Sequence, residues 1–429
     1  MFVDRRPERQ PGDGEPEAGE SAGSSAEPAA PAGQPAGPRA GPRESARKPG
    51  SSAFRVIALG TAAVAALTAG IVYAVTQSGS SAGSGASHSA VVGLMHMASV
   101  TPASQTTGVD GAAPIIVTFS ATVAQRFPKP RLSPNVPGTW SAAGNSLVFT
   151  PDTPFDQDTT VTVQVPGGHA GVRSVNGAQL SASVTERFTT GTYTQAALAE
   201  LLAQLGYLPM TWSPIQTGVT RAELVNADPA EQTPEGQAYD PPVGTFTWAA
   251  GYPATLRALW SPDQANVLLK GAVMAFQSEH NMSIDGNLTP QLWHALFLAQ
   301  ARNEQNANGY TYAIASKGSP ETLTIWHNGQ QVLASPANTG IGVAPTVDGT
   351  FPVYERFLHT IMSGTNPDGS HYSDPVSFVS YFNGGDAVHY FPRGGYGWPQ
   401  SLGCVELPYN SAEQAYPYLT YGSLVSVVG

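Results

Sequence analysis

Charge and cysteine are both scarce in this chain. Only 12% of its 429 residues are charged, against about 25% in an ordinary globular protein. The length implies two to four folded units, and the low charge suits several modest cores rather than one large one. Basic residues are the scarcer sign, 20 Lys and Arg against 31 Asp and Glu, for a net charge of −11. That balance excludes a nucleic-acid partner, because binding a polyanion relies on a basic surface that releases counterions. The one cysteine, Cys404, excludes an intrachain disulfide. A lone thiol is either a small buried hydrophobe or a reactive group that the protein uses.

The 46 glycines and 37 prolines crowd toward the N-terminus. Residues 1–53 have almost no aromatic or branched apolar side chains and read as a disordered cytoplasmic tail. Residues 54–75, FRVIALGTAAVAALTAGIVYAV, form an apolar run interrupted only by Arg55, long enough to cross a hydrocarbon core of about 30 Å. A cleaved signal peptide competes with a transmembrane helix here, but the run is too long and begins too far from residue 1. Arg39, Arg43, Arg47, Lys48 and Arg55 flank it on the N-terminal side, which leaves the tail in the cytoplasm and everything after it outside. A Gly/Ser linker follows at 76–89.

Residues 90–192 carry short β-rich runs at 115–120, 146–150, 159–165 and 183–189, punctuated by Pro, Gly and Asn. No acid, base or metal-ligand cluster stands out among them. GTWSAAGNSLVFTPDTPFDQDTTVTVQV and the closing ERFTT resemble bacterial Ig-like spacer domains. Trp140 reads as core, with carbohydrate stacking the alternative. From 193 to 300 the periodicity is helical. Leu198, Leu201, Leu202 and Leu205 share a face that ends at Gly206, and two more helices flank an Asp-Gly turn, the second starting near Thr289 and Pro290. LGY, AVMAFQ, DG and LWHAL resemble a peptidoglycan-binding module, interrupted by an irregular Pro- and Trp-rich insertion of roughly 50 residues. Phe276, Trp293 and Leu296 either serve that binding or are plain core.

Residues 309–429 return to strands rich in Val, Ile, Tyr and Phe, with one short helix near 412–419. Within them HYFPRGGYGWPQSLGCVELP places His389 about fifteen residues before Cys404. A thiol needs an imidazole within reach to take its proton. Gly403 permits a tight turn whose backbone N–H groups, with Ser401 and Leu402 completing it, could face an oxyanion.

Ser401, Gly403, Cys404 and Val405, with His389 behind Ala387 and Val388, the upstream APTVDGTFPVYERF and the tail YGSLVSVV, resemble the L,D-transpeptidase (YkuD) catalytic domain. The resemblance implies that Cys404 attacks a tetrapeptide stem of peptidoglycan between diaminopimelate and D-alanine. D-Alanine leaves, and the acyl-enzyme passes to an acceptor amine to form a 3–3 crosslink. His389 is then base and acid, oriented through a backbone carbonyl near Tyr390. Met362 and Tyr372 belong to a flap over the donor site. No metal or cofactor is implied, and carbapenem β-lactams are implied as covalent inhibitors. Three positions depart from the family: Leu402 where His is frequent, Tyr390 where Gly is common, and Glu406 where Arg is frequent. A carboxylate at 406 would repel a substrate carboxylate, leaving Arg393 to supply positive charge. The rival readings are an L,D-carboxypeptidase or endopeptidase that uses water on the same acyl-enzyme, and a wall-binding scaffold without catalysis. His327, His359 and His371 match no motif and read as structural.

The expected fold class is therefore multidomain and mostly β: an Ig-like sandwich and a YkuD-type mixed β catalytic domain, with a small three-helix module and one transmembrane helix. The charge asymmetry around 54–75 predicts that protease added to intact cells digests the C-terminal domains and spares a tag at residue 1. Loss of the tag in unbroken cells would show the opposite orientation.

Overall fold

Strand alternation organises the chain into layers. The computed structural model describes residues 93–215 and 228–429, which belong to one compact unit, Ala86–Gly429. The expected tail, transmembrane run and linker lie outside the described residues. Among the described residues no helix is long and apolar enough to cross a membrane.

The first domain has nine strands: β1 (Leu94–Met95), β2 (Met97–Thr101), β3 (Ile115–Phe119), β4 (Arg131–Ser133), β5 (Gly138–Ala143), β6 (Ser146–Pro151), β7 (Thr160–Val165), β8 (Gln179–Leu180) and β9 (Val184–Thr189). A sheet in the order β2-β3-β6-β5 faces one in the order β4-β7-β9, and β1 pairs with β8. Ile115, Val117 and Phe119 alternate inward from β3, and Val161, Val163 and Val165 from β7, the period-2 pattern of a two-sheet core. Trp140 is 9% exposed and packs 5.3 Å from Phe149, so its ring belongs to the core.

The helical region holds α1 (Gln195–Gln204), β10 (Met210–Pro214), a 3-10 turn (Pro229–Gln232), α2 (Pro234–Gln237), β11 (Gly244–Trp248), α3 (Ala254–Arg257), α4 (Val267–Glu279) and α5 (Pro290–Ala301). Side-chain caps start the three long helices. Thr194 accepts from the Ala197 N–H, Asn266 from Leu269 and Thr289 from Leu292, each satisfying an otherwise orphan amide. Buried Gln277 holds the Asp-Gly turn, accepting from the N–H groups of Asp285 and Gly286. Phe276, Trp293 and Leu296 are core.

The described parts of the expected irregular insertion are structured. β10 and β11 form an antiparallel ribbon, and Trp212, Phe246, Trp248 and Trp260 pack from this segment onto the helical core. A bare three-helix unit would leave that apolar face exposed, so the insertion completes it.

The last domain contains β12 (Thr311–Ser316), β13 (Thr322–His327), β14 (Gln330–Pro336), β15 (Gly349–Pro352), β16 (Glu355–Thr365), β17 (His371–Asn383), β18 (Asp386–Tyr390), β19 (Val405–Leu407), α6 (Tyr409–Ala415) and β20 (Leu424–Val428). One sheet runs β14-β13-β12-β20-β15 and the other β16-β17-β18-β19. On the first sheet the parallel pair β12 and β20 alternates between two cores. Tyr312 and Leu424 point into the helical core, whereas Ala313, Ala315, Val425 and Val427 point toward the second sheet. Helices, first sheet and second sheet are thus three successive layers, and the helical region and the first sheet share a core.

The layers approach closely at Gly271 of α4. A Cβ there would lie 2.6 Å from the Gly422 carbonyl oxygen, too near for any relaxed contact. Gly271→Val should therefore lower unfolding stability by about 1–3 kcal/mol. Because the core is shared, denaturant melts followed at the helical and β signals should shift together. Separate transitions would contradict the shared core.

Candidate active site

Parallel pairing of β18 with β19 aligns Val388 with Val405 and His389 with Glu406. Val388, Val405 and Leu407 enter the core between the sheets. Alternation therefore sends Ala387, His389 and Glu406 to the outer face, along with Cys404, which immediately precedes β19. There Ala387 and Cys404 pack with Val376, Val379, Met362, Tyr381 and Phe391. A bulge between Ser377 and Ser380 of β17, with Phe378 at φ +59°, places Val376 and Val379 on this outer side and Phe378 in the inner core.

A cleft of about 650 Å³ opens on that face, and both Cys404 and His389 line it. His389 is only 3% exposed, and its Nδ1 lies 2.9 Å from the Tyr390 carbonyl oxygen. A carbonyl only accepts, so Nδ1 carries the proton and Nε2 is the basic nitrogen. Burial pushes the His389 pKa below the ordinary histidine value, which favours the neutral imidazole. Burial pushes the Cys404 thiol up to about 12, and the carboxylates of Asp386 and Glu406 raise it further. At neutral pH the cleft therefore holds a neutral imidazole and an intact thiol.

The turn before Cys404 is tightly held. Ser401 Oγ donates to the Cys404 carbonyl at 2.6 Å and accepts from the Gly403 N–H at 3.2 Å. Gly403 has φ +124°, and a Cβ there would lie 2.2 Å from Asp386 Oδ1, so only glycine fits. The expectation that Ser401 and Gly403 serve an oxyanion is corrected in part: the Gly403 amide is spent on Ser401, which builds the turn. Leu402 lines the cleft.

Of the expected substrate-binding residues, Met362, Tyr372, Arg393 and Glu406 all line the cleft. Met362 and Tyr372 come from the long β16–β17 hairpin, where Tyr372 pairs with Gly364. Tyr390 is a correction. Its ring packs with the inner core and against Tyr409 at 5.2 Å, because it neighbours His389 on a strand and must face the other way. Only its carbonyl reaches the site. His359 and His371 pair with Ser377 and Thr365 on the hairpin, away from the cleft lining.

Arg393 and Glu406 are the second correction. Glu406, 5% exposed, accepts from Arg393 Nε at 2.8 Å and Nη2 at 2.7 Å. Arg393 also donates to the Gln400 carbonyl and lies 4.7 Å from the Phe391 ring centre. The two residues neutralise each other, so Glu406 does not confront a substrate as a bare charge and Arg393 is not a free cation. The pair ties the loop between β18 and β19 to the strand that carries Cys404. Sequence reasoning missed Asp386, whose only signal is its position at the start of the histidine strand.

Comparison with known proteins agrees on two domains. Residues 94–190 match the bacterial Ig-like domain and residues 310–427 match the L,D-transpeptidase catalytic domain, YkuD. The chain thus carries an Ig-like domain and a C-terminal domain of the YkuD L,D-transpeptidase family. Similar solved structures include L,D-transpeptidase 3 from Mycobacterium tuberculosis with a faropenem-derived adduct, at 16% identity over 78% of this chain and 98% of that one, TM-score 0.27. An L,D-transpeptidase from Mycobacterium smegmatis is 15% identical over 78% and 98%, TM-score 0.26. The E. faecium L,D-transpeptidase catalytic domain acylated by ertapenem is 23% identical over 28% and 96%, TM-score 0.26. No curated protein matches the chain.

The pairing of buried Glu406 with half-buried Arg393 gives a direct test. Arg393→Ala strands the Glu406 carboxylate and should cost about 3–5 kcal/mol in chemical denaturation. Arg393→Met with Glu406→Leu removes both charges and should recover most of that loss. A double variant no more stable than Arg393→Ala would mean that the ion pair is not what holds the loop.

Proposed function

We propose that this protein is a cysteine-dependent L,D-transpeptidase acting on peptidoglycan tetrapeptide stems, with Cys404 as nucleophile and His389 as base and acid. The observation that carries the reading is the outward projection of both groups from one parallel strand pair into one cleft, with the histidine tautomer set by the Tyr390 carbonyl.

Nε2 of His389 takes the Sγ–H proton as sulfur bonds to the carbonyl carbon between diaminopimelate and D-alanine. The tetrahedral intermediate collapses, the C–N bond breaks, and His389 returns the proton to the departing amine. D-Alanine leaves and a thioester remains. An acceptor amine then attacks the thioester, C–S cleaves, and the product is a 3–3 crosslink. Because the thiol is protonated at rest, proton transfer must accompany attack, which is general-base catalysis rather than use of a standing thiolate. The same thiol should open the β-lactam ring of a carbapenem and keep the acyl group. We place this chemistry outside the membrane, with the Ig-like domain as a spacer.

Mass spectrometry of the folded ectodomain should show one acyl adduct with a tetrapeptide donor or a carbapenem, and Cys404→Ala should show none. An adduct on Cys404→Ala would end the proposal. The acylation rate of the parent should stay level as pH falls through 6.5, the ordinary histidine value, and drop only below it, because His389 is depressed. His389→Ala should slow acylation at pH 7 at least about a hundredfold and then gain rate steadily as pH climbs toward the thiol's titration. A parental rate in His389→Ala would remove the histidine from the mechanism.

A further inference from the structure

Two carboxylates of the cleft, Asp374 and Asp386, have no assigned task, and Asp386 is the one that stands against the turn holding Cys404. Asp386 begins β18, at the end of a turn from Asn383 through Gly384 and Gly385, and its side chain lines the cleft beside Cys404. The thiol lies against this same turn, with Sγ 3.8 Å from the Gly385 carbonyl oxygen. Asp386 Oδ1 stands so close over Gly403 that a Cβ there would come within 2.2 Å of it. The carboxylate is therefore a direct neighbour of the residue pair that carries the nucleophile.

Its charge is unanswered. Four acidic or basic side chains besides His389 and Cys404 bear charge on this lining: Asp374, Asp386, Glu406 and Arg393. Arg393 is engaged by Glu406, and none of the described ion pairs includes Asp386. Its partner is the neutral Asn383, and burial holds its carboxyl above the ordinary range. A half-buried carboxylate without a cation attracts one, and a raised value makes it a better proton acceptor.

The proposed transfer step needs both properties. A stem's side-chain amine is an ammonium at neutral pH and has no lone pair with which to attack. We propose that Asp386 binds the ammonium group of the acceptor stem and takes its first proton, so that the acyl-enzyme is resolved by amine rather than by water. The inference rests on the Cys404 acyl-enzyme proposed above. R–NH3+ gives a proton to Asp386, and the free amine attacks the thioester carbonyl, forming N–C. His389 takes the second nitrogen proton and delivers it to sulfur as C–S breaks. Asp386 then releases its proton to solvent. The products are the amide, the free thiol and one proton.

The test separates a cation-binding role from a merely structural one at the turn. The folded ectodomain is given a tetrapeptide donor whose side-chain amine is acetylated, so that it cannot serve as acceptor. Either a tripeptide stem with a free side-chain amine or hydroxylamine, which is neutral at pH 7, is then added, and the ratio of transfer product to hydrolysed donor is read by mass spectrometry. Asp386→Asn should lower that ratio at least tenfold with the stem amine and less than threefold with hydroxylamine. Equal losses with both nucleophiles would assign Asp386 to the turn alone, and no loss with either would leave it without a role. Either outcome overturns the proposal while leaving the acyl-enzyme in place. Absence of D-alanine release by the parent protein would overturn the acyl-enzyme and this inference together.

Discussion

The site depends on a single register, the parallel pairing of β18 with β19 that sets Val388 against Val405 and His389 against Glu406. Side chains on a strand alternate with a period of two, so a slip of one residue would turn His389 into the core and bring Val388 out. The register is secured from the inner side, where Val388, Val405 and Leu407 are fully enclosed between the two sheets. Apolar burial on one face thus fixes reactive geometry on the other. The first sheet uses the same rule in another way: Tyr312 and Leu424 go to the helical core while Ala313 and Val425 go to the catalytic core. The catalytic sheets are in this way buttressed by a helical layer.

Electrostatics in the cleft follow from burial. Enclosure keeps the thiol protonated and the imidazole neutral, each in the uncharged form that a low-polarity setting prefers. Such a pair suits proton transfer in step with bond formation, since separating the charges in advance would work against the surroundings. Glu406 and Arg393 meet the same constraint differently, by forming a two-point ion pair that leaves neither charge bare. Asp386 has no such partner among the described residues, and that difference between two acids on one strand pair carries the acceptor proposal.

The departures at 402 and 406 look from the sequence like erosion of a family site. In the folded protein Glu406 has a guanidinium partner thirteen residues upstream and an amide from Asn338 within 3.4 Å. A carboxylate held on two sides is a built feature. The loop between β18 and β19 is anchored by it, and Ser401 closes the turn that presents Cys404.

Much was legible in the sequence because it is encoded locally. Runs rich in Val, Ile, Thr and Tyr announced β3, β7, β12 and β20, Thr289 with Pro290 announced the start of α5 and Gly206 the end of α1, and the Ser-x-Gly-Cys turn with an upstream strand histidine announced the candidate site. The first half of the β16–β17 hairpin was not legible: Phe357, Leu358 and Ile361 are all exposed, so the strand carries no clean buried-face pattern. The Trp-rich insertion was read as irregular because its ribbon is held by packing on a distant helical core. Tertiary structure alone decided that Tyr390 turns inward, that Arg393 meets Glu406, and that Asp386 stands over Gly403. Residue types and local periods fix what each segment can become. Which side chains then face one another depends on strand register and loop path, and those are set by the burial of the other face.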